Sequence, residues 1–433
     1  MDIERVNLLD ETAFATGGGL WTGKRGPFVT ANVIRNTNFT SSGRVDYSDV
    51  AVLQVEQKQL ASRRLVPGDI IIERSGGGPS QPVGRVVFFE RDAGIFSHSN
   101  FTSRLRVIDA SRFRSRFVFY FLLYFHDSGQ TDHLQRRTTG IRNLDWRAYR
   151  ETAAVPLFEL DAQHQIAAVL SAVQRAIERQ ERLIALTAEF KKAVMHKFFT
   201  QGAHGDALKQ TEIGPVPDTW TESHLGTVAR FSSGGTPSRE VSEYWDGGTI
   251  PWVKTTEINY RTIRETEERI TQAGLDNSSA KVFPPGTLLM AMYGQGLTRG
   301  RVGILGIAAA TNQACAAIMP HSEEEISTDF LYYFLEFHYE HLRQRGHGAN
   351  QTNLSLTLLK LFPVYYPKYR EQQAIIAVLR EVDKKRAIHE LGRIVLTGLF
   401  RTLLQQLMTA QIRVQGLDLS ALEEAEQELL GAV

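Results

Sequence analysis

A single cysteine, Cys315, stands in 433 residues. No disulfide framework and no cysteine zinc site can form within the chain, and the usage fits a reducing cytoplasm. Long hydrophobic runs are missing as well. The longest, FVFYFLLYF at 117–125, falls short of the ~20 residues a membrane span needs and reads as a buried helix. The amino terminus, MDIERVNLLDE, is acidic and has no apolar core of the kind a signal peptide carries. Neither sign of charge dominates, because 49 Lys and Arg meet 48 Asp and Glu. Any nucleic-acid surface must therefore come from local clustering. The histidines show neither H-E-x-x-H nor His/Cys ligand spacing, so no metal site is expected.

What is present first suggests a nucleotide. ATGGGLWTGKRGPFVTANVIR (15–35) contains G-x-x-x-x-G-K from Gly18 to Lys24. A phosphate-cradling loop needs a Ser or Thr after the lysine and a helix beyond it. Position 25 is Arg, and Pro27 followed by FVTANVI is strand-like. A methyltransferase would need a polar-Pro-Pro-aromatic motif to hold a flipped base, and none occurs. The glycine loops SGGG (75–78) and MYGQG (292–296) read instead as tight turns or close backbone approach.

The chain is written twice. GPFVTANVI (26–34) matches IPWVKTTEI (250–258), and LVPGDIIIERSGGG (65–78) matches FPPGTLLMAMYGQG (283–296). FVFYFL (117–122) matches FLYYFL (330–335), TGIRNL (139–144) matches ANQTNL (349–354), and QHQIAAVLSAV (163–173) matches QQAIIAVLREV (372–382). Each half opens with strands and glycine loops and closes with a long, proline-free amphipathic helix, about 161–200 and 370–409. Ile166, Leu170, Val173 and Ile177 form the stripe of the first helix; Ile375, Leu379, Val382 and Leu399 lie on that of the second. Such helices cannot bury a stripe alone, so they are expected to pair with each other and leave apolar positions for partner helices. The expected organisation is a mixed α/β domain at 1–157, a helical spacer at 158–202, a linker at 203–219, a second domain at 220–368, a second spacer at 369–412 and a tail at 413–433.

Two similar surfaces at a fixed separation suit duplex DNA, whose helical repeat makes half-site spacing a geometric property of the protein. Arg and Lys can meet phosphate or guanine, Asn and Gln can read adenine, and glycine lets backbone approach. The candidate contacts are Lys24, Arg25, Arg35, Asn36, Arg74 and Arg142 in the first half. In the second half they are Lys254, Thr255, Tyr293, Gln295, Arg299, Arg301, Asn350 and Gln351. Residues 101–150 are also rich in arginine: Arg104, Arg106, Arg112, Arg114, Arg116, Arg136, Arg137, Arg142, Arg147 and Arg150.

SGGTPSREVSEYWDGGTIPWVKTTEIN (233–259) and NQTNLSLTLLKLFPVYYPKYREQQAIIAVL (350–379) resemble the opening and the end of a target-recognition domain in type I restriction-modification specificity subunits. The first half resembles the same family more loosely, with GGGLWTGKRG in place of the GGTPS form. The resemblance implies a non-catalytic subunit with two target-recognition domains, each reading half of a bipartite DNA site. It implies two long conserved helices, paired as an antiparallel coiled coil with internal pseudo-two-fold symmetry, that separate the domains and dock two methyltransferase subunits. A restriction/translocase subunit can join. S-adenosylmethionine, ATP and Mg²⁺ would then sit on those partners and no cofactor on this chain. The competing expectations are an NTPase or self-sufficient methyltransferase, and a scaffold or antirestriction decoy that binds the methyltransferase but not DNA.

Overall fold

A computed structural model describes residues 3–21, 26–78, 81–138, 141–294, 296–345 and 353–414. The chain forms two compact units, Met1–Glu181 with Leu391–Val433, and Arg182–Glu390. The first contains β1 (Arg5–Asn7), β2 (Phe14–Gly18), β3 (Phe28–Ile34), β4 (Ala51–Glu56), α1 (Gln57–Arg63), β5 (Ile70–Glu73), β6 (Ser75–Gly77), β7 (Val86–Phe88), β8 (Phe96–His98), β9 (Thr102–Val107), α2 (Ser115–Asp127), β10 (Gln135–Thr138), β11 (Ile141–Leu144), α3 (Trp146–Thr152), β12 (Ala154–Pro156) and the opening of α4 (Leu160–Gln201). The second contains the close of α4, then β13 (Leu208–Thr211), β14 (Gly214–Pro217), β15 (Thr221–His224), α5 (Leu225–Val228), β16 (Ala229–Ser233), β17 (Ile250–Val253), β18 (Thr262–Ile263), β19 (Glu268–Ile270) and α6 (Gln272–Asp276). It continues with β20 (Val282–Phe283), β21 (Leu288–Ala291), β22 (Val302–Leu305), β23 (Ala309–Thr311), β24 (Cys315–Pro320), α7 (Thr328–Phe337), α8 (Tyr339–Arg345), α9 (Leu356–Lys360), β25 (Pro363–Tyr366) and the opening of α10 (Tyr369–Met408).

The two mixed α/β units share a topology. The sheet order β2-β9-β5-β7 in one corresponds to β16-β24-β21-β22-β18 in the other, and β4-β3-β8 corresponds to β19-β17-β23-β20. Both of the second sheets contain one parallel pair, β3 with β8 and β17 with β23. The apolar run of β5 is explained by burial on both faces. Ile70 and Ile72 join Val86, Leu105 and Phe117 in one core, while Ile71 joins Ile34, Phe89 and Phe96 in another. Side chains alternate across a strand, so an unbroken apolar strand feeds two cores. β21 does the same, with Leu288 and Met290 on one side and Leu289 and Ala291 on the other. The run at 117–125 is helix α2, with Phe117 to Leu123 and Phe125 buried. Apolar on every side, it fills the centre of its unit.

The duplication holds, but its first match shifts register. The backbone N–H of Arg35 donates to Asn38 Oδ1 at 2.9 Å, and that of Lys254 donates to Glu257 Oε2 at 2.7 Å. The Ser99 N–H donates to the Ile34 carbonyl, as the Asn312 N–H does to that of Val253. Val253-Lys254 is thus the counterpart of Ile34-Arg35, and Ile258 moves from opposite Ile34 to opposite Phe39. Alternating apolar residues fit a strand in several registers; the ladder and the cap select one.

The glycines of the opening stretch have a packing role. A Cβ on Gly19 would lie 1.9 Å from the Ser99 carbonyl oxygen, and one on Gly234 would lie 1.9 Å from that of Thr311. Here β2 and β16 run out against the parallel strand pair of their own unit. The rest of the SGGTPS…YW stretch is an internal clasp. Trp252 Nε1 donates to the Gly235 carbonyl at 3.0 Å and Trp245 Nε1 to that of Ser238 at 3.0 Å. The Arg239 guanidinium lies 3.6 Å above the Trp245 ring and pairs with Glu268 at 2.6 Å.

Each unit holds an antiparallel pair of helix halves. In the first, Ile166, Leu170 and Ile177 of α4 pack with Phe400, Leu404, Leu407 and Met408 of α10. In the second, Met195 and Phe199 of α4 share a core with Ile375, Ile376 and Leu379 of α10. A buried glutamine ties each helix to its unit. Gln163 accepts from the Arg114 N–H at 2.9 Å and donates to the carbonyls of Arg112 and Phe158, both at 2.8 Å. Gln372 accepts from the Ser327 N–H at 3.0 Å and donates to the carbonyls of Glu325 at 2.7 Å and Pro367 at 3.0 Å. The helix seams differ in chemistry. Tyr120 donates to Gln174 Oε1 at 2.8 Å beside Phe400, whereas Tyr333 donates to Asp383 Oδ2 at 2.8 Å. In the second seam Lys191, 5% exposed, lies 2.8 Å from both Glu336 and Asp383.

Gln372→Leu strands three buried backbone groups and is expected to cost about 3 kcal/mol in urea unfolding; a loss below ~1 kcal/mol would show that the amide is incidental. Gly234→Ala is expected to cost roughly 3 kcal/mol or more, while Gly18→Ala, with nothing within 4 Å of the added carbon, stays within ~0.5 kcal/mol. Equal melting temperatures for the two variants would refute the close-approach reading.

Candidate nucleic-acid interface

Several candidate residues of the first unit converge around β6. Asn36 Nδ2 donates to the Ser75 carbonyl at 3.3 Å and to Glu73 Oε1 at 3.3 Å. Gly76 has φ +103, and a Cβ there would sit 2.5 Å from Asn36 Nδ2. Glu73, 1% exposed, is held by a two-pronged Arg85 at 2.8 and 2.7 Å. Arg142 stands opposite Gly77 where β11 joins β6, and Ser75 Oγ donates to Asn143 Oδ1 at 2.6 Å. The backbone N–H of Arg74 donates to the carbonyl of Phe101, whose ring is 44% exposed. Arg35 lies beside this group and pairs with Asp49 at 3.2 Å. Lys24 and Arg25 lie outside the described residues. A strand follows them at Phe28–Ile34, where a nucleotide loop would lead into a helix.

In the second unit, Lys254 and Thr255 open a single 3-10 turn capped by Glu257. The Lys254 ammonium pairs with Glu267 at 2.6 Å and Glu268 at 3.1 Å. The hydrogen bond to Glu267, followed by that to Glu268, raises its pKa. Arg301 precedes β22, as Arg85 precedes β7, and reaches Asn259 Oδ1 at 2.8 Å. Tyr293 is exposed, whereas Arg299 is only 6% exposed. Gln295, Asn350 and Gln351 lie outside the described residues. Lys254, Thr255 and Arg301 therefore share one edge through the turn and Asn259, and Arg299 is withdrawn into the fold.

Five of the ten arginines in the arginine-rich stretch pair with carboxylates among the described residues. Arg106 holds the buried Asp69 with contacts of 2.6 and 2.7 Å, and Arg112 pairs with Asp10. Arg116 pairs with Glu90, Arg136 with Asp145 and Arg147 with Glu151. Arg104 bonds only to the carbonyls of Ser62 and Arg64 among the described residues, and burial lowers its pKa. Composition alone overstated the free positive charge.

Most of the stripe positions on the two long helices are covered by the chain itself. Ile166, Leu170, Ile177, Ile375, Leu379 and Val382 are buried and Val173 packs against the same core, so these side chains form the seam inside each unit. Only Leu399 of that set is exposed. The uncovered apolar positions are elsewhere. Leu186 and Phe190 of α4 and Val378 of α10, with Thr187, Ala377 and Lys385, line a shallow apolar groove of about 650 Å³ in the second unit. In the first unit α10 exposes Leu391, Ile394, Val395 and Leu399. A helix with two apolar faces presents both in sequence, and only packing shows which one the chain covers itself.

Residues 217–396 match the family model for the type I restriction modification DNA specificity domain. The chain is 30% identical over 184 residues to the type I restriction enzyme MjaIX specificity subunit of Methanocaldococcus jannaschii, covering 41% of this chain and 40% of that relative. It is 22% identical over 381 residues to the putative MjaX specificity subunit of the same organism, covering 87% and 86%. It is 24% identical over 247 residues to the EcoR124I/EcoR124II specificity subunit of Escherichia coli, covering 56% and 59%. The aligned region thus spans less than half the length of the first of these relatives. The fold is that of the S subunit of a type I restriction-modification system from M. genitalium, with a TM-score of 0.62, 17% identity, and 94% and 96% of the two chains covered. No helix among the described residues is long and apolar enough to cross a membrane. The duplicated units and these relationships agree that residues 217–396 match a type I restriction modification DNA specificity domain and that the whole chain has the fold of, and is similar to, type I restriction-modification specificity subunits.

Proposed function

We propose that this chain is the DNA-reading subunit of a type I restriction-modification complex in the cytoplasm, each unit recognising one half of a bipartite duplex site. The observation that carries this is the repeated edge. In both units a capped turn, Arg35-Asn36 or Lys254-Thr255, follows a strand of the parallel pair, and a glycine-bearing segment follows the central strand. Such an edge supplies the amides and guanidinium groups that read bases and the close backbone that meets phosphate. The match of residues 217–396 to a DNA specificity domain favours this over a scaffold that ignores DNA.

The chain itself performs no chemistry in this reading. Two methyltransferase subunits dock on the uncovered apolar faces of α4 and α10 and bring S-adenosylmethionine to a flipped adenine. Restriction/translocase subunits bring ATP and Mg²⁺. The Lys254 ion pairs give one recognition edge a lock. Its ammonium must leave Glu267 and Glu268, or share with them, to reach DNA.

Co-expression with the adjacent methyltransferase, followed by mapping of modified adenines, is expected to yield one motif of two short blocks and a fixed spacer. Random modification, or a single contiguous block, overturns the reading. Phe190→Glu is expected to weaken methyltransferase binding by tenfold or more while the melting temperature stays within ~2 °C, since this ring is 57% exposed. Undiminished co-purification of that variant would remove the groove from the docking surface.

A further inference from the structure

Resting on the reading of the first unit as a DNA-recognition unit, we propose that Arg74 and Arg150, grouped on Trp146, form a clamp for one backbone phosphate that the second unit lacks. The two guanidinium carbons lie 5.2 and 5.7 Å from the Trp146 ring centroid. All three side chains are partly exposed, so an anion can reach them from solvent. Neither arginine has an acidic partner among the described residues, and the Nε of each is buried without a hydrogen-bond partner. Among the described residues, the one side-chain hydrogen-bond contact of Arg74 is Ser103 Oγ at 3.5 Å, at the limit of a hydrogen bond.

The neighbouring carboxylates are already committed. Glu73 is held by Arg85, and Asp145 by Arg136. Burial, and then the Arg150 charge, hold Arg74 below the usual arginine range. Two half-buried like charges with open donors are costly for a folded chain standing alone. Arginine does not give up its proton to relieve that cost. An arriving phosphodiester does relieve it. Its two free oxygens match guanidinium forks, and the indole face orients the cations. The contact is to backbone, so it sets the register of the unit on the duplex without reading a base.

The second unit shows that the fold does not require the pair. Arg74 directly follows β5, and the residue directly following the equivalent strand β21 is Met292, which is 4% exposed. Arg74→Met therefore installs a side chain that this backbone already accepts.

The test uses the assembled complex with its methyltransferase subunits. Anisotropy is measured across a salt series on the mapped duplex and on one with the first half-site scrambled. R74M is expected to bind both duplexes roughly tenfold more weakly, with half-site preference intact. Its log–log salt slope should be shallower by about 0.9. R150Q should behave alike, and R74K should keep the slope. An unchanged slope in R74M and R150Q, or a loss confined to the cognate duplex, overturns the clamp while leaving the recognition reading in place. A wild-type complex that binds neither duplex overturns both. If inorganic phosphate raises the melting temperature of wild type but not R74M, and the DNA slope is unchanged, the site holds free anion and the proposal fails.

Discussion

A buried amide at the first turn of each long helix fixes how strand-rich unit and helix meet. Gln163 and Gln372 are both fully buried, and each uses its oxygen and both amide hydrogens on backbone groups. One set of partners is the short segment entering α2 or α7; the other is the carbonyl just before the helix begins. A hydrophobic side chain could fill the same space but could not satisfy those groups. The direction in which the long helix leaves its unit is thus set by hydrogen-bond geometry, which is stiffer than apolar contact. For a protein whose proposed work is to hold two reading edges at a measured distance, that stiffness matters more than the stability it adds.

The units are alike where they fold and unlike where they face outward. Gly19 and Gly234 make the same close approach, and the central strands β5 and β21 feed two cores in the same way. The edges diverge. The first unit sets Asn36 against a glycine turn and gathers arginines near Trp146; the second places a lysine between two glutamates and an arginine on Asn259. This is the pattern expected when a scaffold is kept and its loops are free to vary.

Much of this was legible in the sequence because it rests on periodicity. The strands after each Pro-Gly, the buried aromatic helix, the two long helices and the duplication all follow from the spacing of apolar residues. Register was not legible, since Ile34 and Phe39 are equally good partners for Ile258 until the caps at Asn38 and Glu257 are seen. Nor was the covered helix face, because Leu379 and Leu391 look alike in sequence and differ only in what lies against them. At the candidate edge, Arg35, Asn36, Arg74 and Arg142 were found by residue type and loop position. The engagement of Lys254 and the withdrawal of Arg299 were not found, because both depend on residues distant in sequence. Trp146 gave no signal beyond being aromatic; only its neighbours mark it.

The two helix seams carry a record of the duplication. Where the first has Phe400 beside Tyr120 and Gln174, the second has Lys191 among Tyr333, Asp383 and Glu336. An ancestor with a single helix would have used one seam twice, in a pair of identical chains. A half-chain carrying α4 and pairing with its own copy would bring Lys191 to Tyr120 and Gln174 and part it from Glu336 and Asp383, losing both ion pairs at each of two seams. Each half of the chain is thus matched to the helix of the other and not to a copy of its own.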